Sequence, residues 1–73
     1  MTAQEIAREI EQARLAAGIT TAELCRRAGV RYLSYWRAQD GQGSHYDTIN
    51  ALAEAAGFEI VLREREGADD RAD

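Results

Sequence analysis

The 73-residue chain contains no proline and no lysine, and only one cysteine, one tryptophan and one histidine. A single thiol, Cys25, excludes an internal disulfide framework and any multi-cysteine metal site. With no proline, glycine is left to punctuate the chain. No apolar run approaches the ~20 residues that a membrane-spanning helix needs. The first residues, MTAQEIAREIEQ, lack the basic-then-apolar order of a secretory leader, so a cytoplasmic location is expected. There is no glycine-rich phosphate loop, no metal-ligand spacing and no carboxylate pair with an evident partner. His45 is distant in sequence from Cys25, which argues against a thiol nucleophile. No enzyme activity, cofactor, metal or small-molecule ligand is expected.

What is present describes a small globular domain. Hydrophobic residues make up 45% of the chain, too many for a disordered one. At this length a lone domain is marginal and gains from oligomerisation. The net charge is −4, but it is unevenly spread. Residues 1–18 carry −1 and residues 42–73 carry −5, whereas residues 19–41 carry +2 from Arg26, Arg27, Arg31 and Arg37 against Glu23 and Asp40. The only basic block therefore sits on an acidic body. All nine basic residues are arginine, which suits bidentate contacts to phosphate and guanine. A GC-rich genome accounts for the same bias.

Apolar spacing predicts an all-α chain with four short helices. Thr2 with Glu5 forms a capping-box pattern, and Ile6, Ile10, Ala13 and Ala17 recur at helical spacing up to Gly18. Thr20 with Glu23 repeats the capping pattern. From Thr20 to Gly41, TTAELCRRAGVRYLSYWRAQDG, the pattern is that of a helix-turn-helix. Leu24, Ala28, Val30, Tyr35 and Ala38 face inward, Cys25 is the small residue at the crossing, and Gly29 makes the turn. The second of these helices runs from about Arg31 to Gln39, with arginine where a capping side chain is preferred. Residues 40–43 form a loop. Ser44 with Asp47 suggests a third capping box, with His45 as the other start. Tyr46, Ile49, Leu52, Ala53 and Ala56 then form a buried stripe that Gly57 closes.

After Gly57 the period changes. Phe58, Ile60 and Leu62 alternate with Glu59, Val61 and Arg63, the pattern of a half-buried β-strand. No second strand is legible. The simplest partner is the same strand of a second copy, antiparallel across a two-fold axis, which assigns dimerisation to Phe58, Ile60, Val61 and Leu62. The expected organisation is a helical domain over 1–57, a dimerising strand over 58–65 and a disordered acidic tail over 66–73.

The stretches AAGITTAEL, CRRAGV, WRAQDG and DTINALAEAAGFEI carry a resemblance to the lambda-repressor-like, Cro/repressor (XRE) family of helix-turn-helix regulators, over about residues 6–62. The segment after the last helix resembles the dimerising C-terminal strand of HipB-type antitoxins. Thr21 stands where family members carry glutamine, and Arg31 where they carry the serine that opens the recognition helix. The resemblance implies an all-α, compact bundle of four to five short helices, and that Tyr32, Leu33, Trp36 and Arg37 align with the base-facing surface.

On that basis the candidate DNA-contacting residues are Thr20, Thr21, Arg26, Arg31, Tyr32, Leu33, Trp36, Arg37, Gln42, Ser44 and His45. Arg37 suits guanine, Arg31 suits a phosphate or base edge, and Thr20 and Thr21 open a helix whose amides favour a phosphate. Leu33 fits either a thymine methyl or the core. Trp36 fits methyl contacts, a small core or a protein-binding patch. The leading expectation is a homodimeric regulator, a repressor, of double-stranded DNA that binds an inverted-repeat operator, of phage, mobile-element or autoregulatory type. The alternative is a protein-interaction module, such as an antitoxin that binds a toxin.

Overall fold

The computed structural model describes residues 1–64. Four helices follow one another: α1 (Ala3–Ala17), α2 (Thr21–Ala28), α3 (Tyr32–Gln39) and α4 (Tyr46–Ala55). Together they form a compact all-helical fold in which α1 packs on α3 and α4, and α2 packs on α3 and α4. No helix among the described residues is long and apolar enough to cross a membrane.

Local chemistry sets most of the boundaries. At α1 the capping box is complete: the Glu5 amide donates to Thr2 Oγ1 (3.1 Å) and the Thr2 amide donates to Glu5 Oε1 (2.7 Å). The Thr2 backbone amide first, and the Thr2 hydroxyl second, hold the Glu5 carboxyl below its usual range. At α2 only half the motif forms. Thr20 Oγ1 accepts from the Glu23 amide, but the Glu23 carboxylate turns instead to Arg26 and Arg27. The expected box at Ser44 and Asp47 does not form. His45 is the N-cap of α4 and makes no side-chain capping bond, and Ser44 Oγ is buried without a partner. Arg31 caps α3, likewise without a side-chain bond.

The turn between α2 and α3 depends on Gly29, which sits at φ 70° and donates its amide to the last carbonyls of α2. An added Cβ there meets nothing within 4 Å, so the cost of Gly29→Ala is conformational alone. That cost is about 1 kcal/mol. A melting temperature lower by about 4–8 °C, with the circular-dichroism spectrum unchanged, is the expected result.

Ile10, Leu24, Cys25, Tyr35, Leu52 and Ala53 form the main core, and Ala7, Ala38 and Ile49 a second cluster. Of the expected inward residues around the turn, Leu24, Tyr35 and Ala38 are buried, while Ala28 and Val30 pack half-buried against the core. Two expected stripes need correction. On α1, Ala7 joins Ile10 inside, whereas Ala17 is exposed and Ala13 only half-buried. The inner face of the second half of α1 is taken by two charged residues, Glu11 and Arg14, instead of small apolar ones. On α4, Tyr46 is 62% exposed, because it is the first residue of the helix and lies beyond the core that Ile49, Leu52 and Ala53 fill.

The charged pair on α1 belongs to a polar network that bare periodicity hides. Glu11 accepts from Arg14 Nε (3.0 Å) and Nη2 (2.7 Å), and from the hydroxyl of the fully buried Tyr35. Arg14 Nη1 also donates to the Ile19 carbonyl at 2.7 Å, tying the α1–α2 connection to α1. A second tie joins α1 to α3: the buried Gln39 side-chain amide donates to the Ala7 carbonyl (2.6 Å), and Gln4 donates to the Gln39 carbonyl (3.0 Å).

Arg14 first, then Tyr35, hold the Glu11 carboxyl below the usual carboxylate range. A carboxyl lowered by folding stabilises the fold above its unfolded pKa and loses that contribution as pH falls through the folded one. The stability difference between the wild type and Glu11→Gln is therefore expected to shrink as the pH is lowered from 7 to 3. Urea melts at several pH values measure it, and a constant difference would remove Glu11 from the acid response.

No strand forms among the described residues. The chain leaves α4 with the Phe58 amide donating to the Ala53 carbonyl (2.8 Å), and then runs along the body with Ile60 packed on both core clusters. The expected alternation is kept at Ile60 but lost at Leu62, which is fully exposed in the single chain. The expected strand over 58–65 is thus not formed over the described residues 58–64, and residue 65 and the expected disordered tail over 66–73 lie outside them.

Candidate functional site

Helix periodicity gathers four of the expected contact residues on one side of α3, and a fifth, Arg31, is its N-cap. Tyr32 and Trp36 are four apart, as are Leu33 and Arg37, so the four form neighbouring rows, with Arg31 at the N-terminal end. Tyr32 is 57% exposed and Leu33 59%, and Arg31 and Arg37 are also exposed. The opposite side of the same helix is the core face, formed by Tyr35, Ala38 and Gln39. Of the readings open for Leu33, burial in the core is therefore excluded.

Trp36 lies between the two sides. It is half-buried, packs on the main core and meets two rings edge-on: Tyr35 at 5.1 Å and Tyr32 at 6.1 Å between centroids. It is thus mainly a brace between the core and the exposed Tyr32, with only part of its own surface outside.

The four arginines of the basic block differ in their neighbours. Arg26 and Arg27 both pair with Glu23 on the exposed side of α2, and together they hold the Glu23 carboxyl below its usual range, Arg26 having the larger effect. Exposed pairs of this kind are weak because solvent screens them, so either guanidinium can turn to a stronger anion. Arg31 and Arg37 make no ion pair among the described residues. The two guanidiniums beside the exposed face of α3 are the ones without a carboxylate partner, a distinction that a charge count over residues 19–41 does not make.

The remaining candidates are scattered. Thr20 is exposed and spends its hydroxyl on capping α2. Thr21 is 9% exposed, so the expectation of a surface contact there is corrected: the first residue of α2 turns its side chain into the fold. Gln42 and His45 are exposed in the connection between α3 and α4, whereas Ser44 is half-buried. Cys25 is buried where α2 meets the core, and burial pushes its thiol pKa up, as suits a packing residue better than a nucleophile. No group of three or more acidic, histidine or cysteine side chains that could hold a metal ion occurs among the described residues.

A second exposed apolar surface lies away from α3. Phe58, Val61 and Leu62 are 43%, 67% and 102% exposed, beside a groove that Met1, Ile6 and Ile10 help to line. No family model matches this chain, and no curated protein or solved structure is significantly similar to it.

Proposed function

We propose that this protein is a sequence-specific double-stranded DNA-binding regulator, a homodimeric repressor of the lambda-repressor-like type, with α2 and α3 as its helix-turn-helix. The observation that carries this reading is the outward side of α3. It presents Arg31 and Arg37 without acidic partners, beside exposed side chains that the core does not use. Such a helix fits the major groove, with guanidiniums reaching phosphate or guanine. Thr20, Arg26, Gln42 and His45 are the flanking contacts to the backbone in this reading. The acidic body weakens attachment to DNA at large and leaves binding to the arginine-bearing face.

Residues 58–64 supply the dimer seam in this reading. Their exposed apolar side chains, and a backbone that beyond the Phe58 amide makes no backbone hydrogen bond among the described residues, suit antiparallel pairing with a second copy, which places two α3 helices about one DNA turn apart. Leu62 is the informative position, since Ile60 also packs on its own chain and its loss would disturb the core. Leu62→Asp is expected to give folded monomers by sedimentation equilibrium, and an intact dimer would move the seam elsewhere.

The direct test is selection of binding sites from random duplex DNA, with affinities measured at two salt concentrations. An enriched inverted repeat bound far more tightly than random sequence supports the proposal, and absence of enrichment refutes it. A second reading, a protein-interaction module of antitoxin type, draws on the apolar character of Tyr32 and Leu33. It predicts no enriched duplex and a partner that shields these two residues.

A further inference from the structure

Most side chains that discriminate bases by hydrogen bonding are missing from the outward side of α3. Its one amide-bearing residue, Gln39, is buried and donates to the Ala7 carbonyl, so the bidentate amide pairing that recognises adenine is not available from this helix. Ser34 is half-buried. What projects outward is Arg31, Tyr32, Leu33 and Arg37, an apolar pair between two guanidiniums. From Arg31 to Arg37 the helix axis advances ~9 Å, comparable to three base-pair steps.

Resting on the DNA-binding reading, we infer that this helix recognises thymine through its 5-methyl group, with Leu33 and the Tyr32 ring as the methyl-contacting surface and the two arginines fixing the flanks. The methyl is the one apolar feature in the major groove, and it marks thymine among the four bases. An exposed leucine flanked by cations matches a groove in which an apolar spot lies between anionic phosphates and guanine edges. Tyr32 is suited to the role because Trp36 meets its ring edge-on and is itself wedged against Tyr35 and the core. The methyl surface is thereby held from beneath and loses little freedom on binding.

The experiment uses the full chain and the site enriched from random duplex DNA, synthesised with thymine or with uracil at each thymine in turn. Uracil pairs identically and lacks only the methyl group. At the contacted positions the substitution is expected to weaken wild-type binding about fourfold per buried methyl. In Leu33→Ala, which removes an exposed side chain and leaves the core intact, at least one of these differences is expected to vanish, with circular dichroism confirming the fold. An enriched site whose affinity is unchanged by uracil at every position overturns the inference while leaving the DNA-binding reading standing. The same holds if Leu33→Ala and Tyr32→Ala both discriminate uracil as the wild type does. Failure to enrich any duplex overturns both.

Discussion

Replacing Tyr35 with alanine is expected to unfold the domain. Tyr35 is fully buried at the centre of the main core, and its hydroxyl donates to the Glu11 carboxylate that Arg14 also binds. Truncating a large buried aromatic costs about 3–5 kcal/mol. A single core in a chain of this size supplies little more than that. The cavity would open between α1 and α3, with Trp36 losing the ring against which it rests. Far-UV circular dichroism at 25 °C is the measurement, and a cooperative melt close to that of the wild type would show that the packing around Tyr35 is not essential.

Tyr35→Phe separates packing from hydrogen bonding. It keeps the ring and removes one donor to a carboxylate that Arg14 still satisfies. The expected loss is about 1–2 kcal/mol, with the fold retained. The Tyr35 phenol is pushed above its ordinary pKa, by burial first and by the Glu11 carboxylate second. A group whose folded pKa is raised contributes stability below its unfolded value and loses it as pH rises. Wild-type stability is therefore expected to fall above pH ~10 more steeply than that of the phenylalanine variant.

The second large effect is on binding. Arg31→Ala combined with Arg37→Ala is expected to abolish preference for the selected site over random duplex while leaving the melting temperature nearly unchanged. Both side chains are exposed and neither makes an ion pair among the described residues, so their loss leaves no buried partner unsatisfied. A bidentate guanine contact is worth about 1–3 kcal/mol, and a two-fold site counts each contact twice. The loss of affinity is thus on the order of 10²-fold or more, with a shallower salt dependence wherever a phosphate contact was removed. Equal affinity for the selected site in wild type and variant would take α3 out of the interface. Arg26→Ala with Arg27→Ala serves as the contrast: those guanidiniums are shared with Glu23, and a smaller effect, similar across DNA sequences, is expected.

How far the sequence alone could go is clearest at α1 and α3. Helix starts at Thr2 and Thr20 and the turn at Gly29 were legible, because a cap or a left-handed residue is a local requirement met within a few positions of chain. The inner face of α1 was not. Glu11 and Arg14 face inward because Tyr35, 24 residues away from Glu11, brings a hydroxyl that makes a partly buried carboxylate acceptable there. Gln39 is similar: it is a surface-type residue by composition, yet it is buried because the Ala7 carbonyl accepts from it across the helix packing. In both places a polar group is buried because its partner lies on another element, and periodicity carries no information about such partners.

Residue spacing and composition were enough to place the four helices, the α2–α3 turn, most of the apolar core and the basic block, since each follows from a short stretch of chain, whereas the alternation after Gly57 gave a strand that does not form among the described residues. The tertiary structure decided which arginines keep an acidic neighbour, that Thr21 turns inward, that Leu33 is open to solvent and that Trp36 rests against the core. It also decided that residues 59–64 make no backbone hydrogen bond among the described residues. These depend on which surfaces meet once the helices pack, and burial and charge pairing are properties of the packed faces rather than of the order of residues along them.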